Sequence, residues 1–313
     1  MGTPYFAVPV LEAMISHGYK PVAVITAPDK PAGRGLKLRY SPVKEKALEY
    51  DIPVLQPANL KDPEFISQLT SLRPDLQFVV AFRMLPEIVW NLPPLGTYNL
   101  HASLLPQYRG AAPINHAIIN GETTTGLTTF RLQHEIDTGD IAFQQSISIG
   151  PDETAGDLHD RMLPVGADLV LKTIRAIESG NIQLGKQVAL DEQLMHAPKL
   201  SPEFCALNFA ELFQSVHNKI RGLCPYPGAT ALLRWDEKKL AFKLLKSRMV
   251  HLNHPVSDTP GTVFCYDRNH LYVSCSDGWI EVLTLQPAGK NKMTAKDFLN
   301  GFNPGGQAVF SRD

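Results

Sequence analysis

Across residues 1–140, short apolar runs alternate with amphipathic stretches, and that rhythm restricts the chain to a mainly parallel sheet with helices on its faces. Residues 21–26, 52–55, 76–82 and 98–101 read as strands, and residues 43–50 and 63–72 as helices. A Pro- and Gly-rich loop fills residues 27–42. Residues 125–132 and 141–147 form a later, antiparallel-looking pair, and a strong helix follows over 157–179. Gly2-Thr3-Pro4 has the form of a turn between a first parallel strand and a helix over residues 6–17, yet no strand precedes it. The expectation is a sheet with its first strand missing and a gap near its centre, with Met1 an internal methionine of a longer natural chain.

From Pro198 the texture changes. Residues 199–204 read as a linker and 210–221 as a helix, and short strands at 229–233, 261–264, 271–274 and 280–283 have the spacing of a small antiparallel barrel. The expected organisation is therefore an N-terminal domain over 1–197, a linker over 198–207 and a C-terminal domain over 208–313. The balance of 44% hydrophobic and 19% charged residues excludes a collagen, a coiled coil or a wholly disordered chain. No apolar run approaches the roughly 20 residues of a membrane span, and the first residues lack the basic start and apolar core of a secretory signal. A cytoplasmic location is expected.

Charge is distributed unevenly. Residues 1–204 carry 17 Lys and Arg against 22 Asp and Glu, whereas residues 205–313 carry 13 against 9. A basic C-terminal third hints at a polyanionic partner. The cysteines at 205, 224, 265 and 275 lack CxxC spacing and zinc-finger histidines, so free thiols and no metal are expected.

Polar chemistry is densest at residues 98–114 and 135–140. Asn99 and His101 stand two apart at a strand end and so share a face, placing an amide donor beside an imidazole where open α/β sheets carry their active sites. Asp137, in a tight turn with Gly139, is expected to reach His101, hold its orientation and favour its protonated form. No Ser or Cys nucleophile accompanies the histidine, so direct attack by the substrate is more economical than a covalent intermediate. No GxGxxG follows a strand, which argues against a plain dinucleotide-binding module.

The pattern Asn99-x-His101-x-Ser103-Leu-Leu-Pro106, a following Gly and the later Asp137-x-Gly139 resemble the folate-dependent formyltransferase family. Blocks at residues 2–7, 28–35, 41–44, 109–114, 137–140 and 285–290 extend the resemblance over nearly the whole chain, particularly to its branch acting on initiator tRNA. The resemblance implies a Rossmann-like doubly wound α/β domain followed by a smaller OB-like β-barrel. It implies formyl transfer from 10-formyltetrahydrofolate to the α-amine of initiator methionyl-tRNA during translation initiation, without a metal, by a monomer not bound to membranes.

By the same resemblance Asn99, His101 and Asp137 are catalytic, and Ser103, Leu104, Leu105 and Pro106 contact folate. Phe82, Arg83 and Met84 line the pterin pocket where the family often carries Tyr-Gly-x, so Arg83 is a departure that changes the pocket's shape. Lys30, Arg34, Lys37 and Arg39 form the basic loop that approaches the acceptor end of the tRNA. Lys219, Arg221 and Lys243 belong to a basic stretch of the C-terminal domain interleaved with Trp235 and Phe242, expected to touch the nucleic-acid backbone. The alternatives are a formyltransferase or hydrolase with another acceptor, and a tRNA- or folate-binding protein without turnover because of N-terminal truncation.

Overall fold

The strand that ends in Asn99 and His101, Thr97–His101, lies inside a four-stranded sheet ordered Gln77–Val80, Thr97–His101, Thr124–Arg131, Ile141–Ser148. The computed structural model describes residues 1–32, 37–188, 194–265, 267–302 and 307–312. Gln77–Val80 is buried along its length, as expected of a parallel strand covered on both faces, and runs parallel to Thr97–His101 with Val79 opposite Asn99. On its other edge Thr97–His101 pairs antiparallel with Thr124–Arg131, placing Asn99 opposite Phe130 and His101 opposite Thr128. The helix Ala155–Glu178 covers this strand closely: a Cβ at Gly166 would stand 2.9 Å from Leu100 Cδ2, so only glycine permits that approach without displacement. Thr173 of the same helix shares a buried 2.8 Å hydrogen bond with Thr129 on the neighbouring strand.

Val24–Ile25 pairs in parallel with Val54–Leu55. Among the described residues, Met1 and Gly2 lie between that pair and Gln77–Val80: Gly2 N donates to Ile25 O at 3.0 Å, and Val80 N donates to Met1 O at 2.9 Å. The Met1 amino group donates to Phe78 O at 2.6 Å, and burial pushes its pKa down to about 5. Beside it opens an apolar cavity of about 350 Å³, lined among others by Met1, Leu11, Met14, Val24, Phe78 and Val80. The contact between the two strand pairs thus runs through the backbone of Met1 and Gly2.

Two compact units make up the chain. One comprises residues 1–110, 125–147 and 159–196, and the other comprises residues 111–124, 148–158 and 197–313. The second is built on an antiparallel sheet ordered Val263–Phe264, Leu271–Ser274, Trp279–Pro287, Lys238–Val250, Ala229–Trp235, Ala308–Ser311. A bridge between Thr262 and Val309 and a 2.8 Å bond from Phe310 N to Gly261 O nearly close it into an OB-like barrel. The 13-residue strand Lys238–Val250 shifts register between Leu244 and Ser247, a bulge that bends it enough to serve two sides of the barrel. Phe242, Leu244, Ile280, Val282, Leu285 and Phe310 fill the interior with the buried face of the helix Phe213–Leu223. Among the described residues no helix is long and apolar enough to cross a membrane, and no group of three or more His, Cys, Asp or Glu could hold a metal ion.

The helix Phe213–Leu223 buries polar side chains as well. Arg221 donates to Asn218 Oδ1 at 2.9 Å and to the carbonyls of Gly150 and Glu153 at 3.2 and 3.1 Å. His217, fully buried, meets Ser247 Oγ at 3.0 Å, with Asp152 Oδ1 3.4 Å from its Nε2. Desolvation outweighs the acidic neighbour and lowers the His217 pKa. A histidine depressed in the folded state contributes stability that is present above its unfolded value near 6.5 and is lost as pH falls through the lower folded value. In urea titrations between pH 7.5 and 5, the stability of the wild type relative to His217→Gln should therefore decline as pH falls; a difference that stays constant or grows would contradict this placement.

Candidate active site

Strand alternation puts Thr97, Asn99 and His101 on one face and Tyr98 and Leu100 on the other, where both are buried. Asn99 is half-buried, while His101 is only 7% exposed and needs a partner for its ring nitrogens. His101 Nε2 lies 2.9 Å from Tyr108 O, and because a carbonyl only accepts, Nε2 carries the proton of that bond. Nδ1 is left 3.9 Å from Asp137 Oδ2, beyond hydrogen-bonding distance. The Asp137 carboxylate instead accepts from Gly110 N at 3.0 Å. In this resting arrangement the orienting contact expected from Asp137 is made by the Tyr108 carbonyl, and Asp137 stands across a gap from the imidazole.

Both groups are held by unusual backbone. Tyr108 has φ 59° and Asp137 φ 55°, in the left-handed region. Tyr108 N donates to Met195 O at 2.7 Å, which anchors the residue whose carbonyl holds His101. In the turn after Asp137, a Cβ at Gly139 would lie 1.7 Å from Arg131 O, so only glycine fits. Gln187 pins the same turn, donating from Nε2 to Asp137 O at 2.9 Å and to Gly139 O at 2.8 Å. Its Oε1 accepts from Arg109 at 3.1 and 2.6 Å. The Asp-Thr-Gly spacing signals the glycine, whereas nothing local to residue 187 signals its glutamine.

The chain after His101 is a tightly bonded loop containing a cis Leu105–Pro106 peptide. Ser103 is buried, with its hydroxyl donating to Gln107 O at 2.6 Å, and Leu105 is buried too. Thr128 Oγ1 donates to Ser103 O at 2.6 Å and accepts from Leu105 N at 3.2 Å, while Gln144 reaches Leu105 O at 2.9 Å. Of the four expected folate contacts, Leu104 and Pro106 therefore retain exposed side-chain surface, and Ser103 and Leu105 shape the loop from beneath. Phe82 packs partly against the core around Val79 and Leu85, while Met84 is 75% exposed. Arg83 donates to Ala58 O at 2.8 Å and to Pro57 O, so it ties the segment after Val54–Leu55 to its own loop.

Among the basic residues, Lys30 and Arg39 are exposed and oppose each other in a short hairpin formed by Lys30–Ala32 and Lys37–Arg39. The backbone of Lys37 lies in that hairpin, and Arg34 falls outside the described residues. In the barrel unit Lys243 is half-exposed, but Lys219 donates to Ala206 O at 2.9 Å beside the Phe204 ring, and Arg221 is only 5% exposed. Both side chains are turned inward to backbone carbonyls, which withdraws them from the basic surface expected of this stretch. The exposed cations of the strand Lys238–Val250, to which Lys243 belongs, are Lys238, Lys239, Lys246 and Arg248, the last paired with Glu281.

The Gln187 contacts yield a direct test. Gln187→Leu would leave the Asp137 and Gly139 carbonyls and the Arg109 guanidinium without these partners, a cost of about 1–3 kcal/mol in chemical denaturation. It should also accelerate amide exchange at Gly110, whose N–H depends on the placement of Asp137. Unchanged stability and protection would show that the turn holds without Gln187.

Comparison with known proteins agrees with this architecture. The family described as "Formyl transferase" matches residues 1–174, and "Formyl transferase, C-terminal domain" matches residues 199–303. A methionyl-tRNA formyltransferase of Bacteroides fragilis is 46% identical over 306 residues, covering 97% of this chain and 94% of that protein. One from Flavobacterium johnsoniae is 46% identical over 301 residues, covering 96% and 94%. Among solved structures the fold resembles WlaRD, a sugar 3N-formyl transferase, with a TM-score of 0.64 at 22% identity over 93% of this chain and 97% of that one. An N-formyltransferase from Helicobacter canadensis superposes with a TM-score of 0.62 at 21% identity, covering 90% and 96%. On the breadth of the family match and of the sequence identity, the chain belongs to the formyl transferase family.

Proposed function

We propose that this chain transfers the formyl group of 10-formyltetrahydrofolate to the α-amine of methionine on initiator tRNA, supplying formylmethionyl-tRNA for translation initiation. The observation that carries the chemistry is the pairing of Asn99 with His101 at the end of a buried strand, with the imidazole fixed through Nε2 and Nδ1 left towards Asp137. Near-complete alignment at 46% identity with methionyl-tRNA formyltransferases supports the acceptor over a sugar or water.

The uncharged methionyl amine attacks the formyl carbon, forming a C–N bond and pushing the carbonyl electron pair onto oxygen. The Asn99 amide and a protonated His101 stabilise that oxyanion, two donors preorganised on a strand rather than on a loop. Asp137, 3.9 Å from His101 Nδ1, takes the amine's proton through a water. Collapse of the intermediate breaks the bond to N10 of the folate, which leaves with that proton. Leu104, Pro106, Phe82 and Met84 provide the apolar wall for the folate ring, and Ser103, Leu105 and Arg83 hold that wall in shape.

The hairpin bearing Lys30 and Arg39, with Arg34 and Lys37, meets the acceptor end of the tRNA, and Lys243 with its exposed lysine neighbours meets the phosphate backbone. In chain order the catalytic domain spans 1–197, the linker 198–207 and the tRNA-binding barrel domain 208–313. The enzyme works as a cytoplasmic monomer.

Formylation of methionyl initiator tRNA, followed on acid gels, tests the reading. Asn99→Ala should lower the rate by roughly a hundred- to a thousand-fold, the usual cost of losing one oxyanion donor. Equal activity of the variant would remove Asn99 from the chemistry, and no transfer by the wild type would send the acceptor assignment to one of the alternatives.

A further inference from the structure

The basic hairpin is electrostatically unfavourable by itself. Its two strands have three residues each, and Lys30 stands directly opposite Arg39, a like-charge pair that opposes pairing. What fixes it lies at its base. Lys44 Nζ meets Asp29 Oδ2 at 2.5 Å and Gln56 Oε1 at 2.7 Å, and lies 4.0 Å from the centre of the Tyr40 ring. Gln56 Nε2 closes the triangle, donating to Asp29 Oδ1 and to Ala27 O, both at 2.8 Å. Alongside, Thr26 Oγ1 and Ser41 Oγ share a 2.8 Å hydrogen bond that joins the two ends of the segment.

This arrangement opposes the local helix electrostatics. Lys44 occupies the first turn of Pro42–Glu49, and its own amide donates to the capping Ser41 Oγ at 3.1 Å. A cation there opposes the helix dipole, and both Lys44 and Asp29 are largely withdrawn from water, with side chains 14% and 19% exposed. The Lys44 and Gln56 hydrogen bonds hold the Asp29 carboxyl below its ordinary range. Residue 56 also adjoins Pro57 and Ala58, whose carbonyls Arg83 grips. The clamp is therefore anchored to the same segment that the expected pterin-pocket wall holds.

We infer that Lys44, Asp29 and Gln56 form a latch that sets the position of the basic hairpin, making Lys44 a positioning residue for the nucleic-acid acceptor and not a phosphate contact. The inference rests on the proposed tRNA formylation for its kinetic consequence, but the latch has a physical readout of its own. Hydrogen exchange across residues 28–41 in the full chain should become faster in Lys44→Met and in Asp29→Ala, and no faster in the double variant than in the faster-exchanging single, because either change opens the same latch.

In the formylation assay Lys44→Met should raise the KM for methionyl-tRNA about tenfold, with the KM for 10-formyltetrahydrofolate and the kcat at saturating tRNA within about twofold of wild type. The slope of log KM for tRNA against log salt should match wild type, since no phosphate contact is removed. Unchanged exchange overturns the latch whether or not the chain formylates tRNA. A wild-type KM for tRNA overturns its kinetic role, and a salt slope lowered by about 0.7–0.9 makes Lys44 a direct phosphate contact. Faster exchange in the variants, with a wild type that formylates no methionyl-tRNA, would retain the latch and reject the proposed acceptor.

Discussion

The hydrogen bond from His101 to the Tyr108 carbonyl organises the site. A histidine buried in a sheet cannot leave its ring nitrogens without partners except at a substantial cost, and one strong acceptor decides which nitrogen carries the proton. That acceptor is itself set by a left-handed Tyr108 and by the bond from its amide to Met195. With Nε2 taken, Nδ1 is the nitrogen left to face Asp137. Catalysis by fixed dipoles gains from such a choice being made before the substrate arrives.

The same logic runs outward through the catalytic unit. Asn99 and His101 sit on a strand bonded on both edges and covered by a helix whose Gly166 packs directly against Leu100. Asp137 sits on a turn that Gly139 and Gln187 hold from two sides. The groups expected to meet large substrates are carried on loops and hairpins, and these are held at their bases: 103–106 by Thr128 and Gln144, and 30–39 by Lys44, Asp29 and Gln56.

Much of this was legible where the signal is local. Alternation of Tyr98 and Leu100 with Asn99 and His101 marks Thr97–His101 and brings Asn99 and His101 to one face, and the apolar run at 76–82 marks Gln77–Val80. The amphipathic pattern places Pro63–Ser71 and Ala155–Glu178 within a few residues. Long-range constraints leave no such mark. The histidine's partner is a backbone carbonyl, which no side chain announces, and Gln187 lies 50 residues from the turn it holds. Residues 27–42 read as a loop because Pro and Gly conceal the short hairpin within it. Charge alone placed Lys219 and Arg221 on a surface; a helix face turned into the unit commits them to carbonyls instead. The short strand Ala308–Ser311 is too brief for periodicity to single out, yet it nearly completes the barrel.

The account depends most on the state of the His101 ring, which nitrogen NMR of the labelled imidazole reads directly in the resting protein. Proton attachment at Nε2 across neutral pH, lost or rearranged when the Tyr108 backbone is displaced, is the expected result. A neutral ring carrying its proton on Nδ1, with Nε2 bare beside the Tyr108 carbonyl, would contradict the proposed orientation and with it the assignment of Nδ1 to the reacting side.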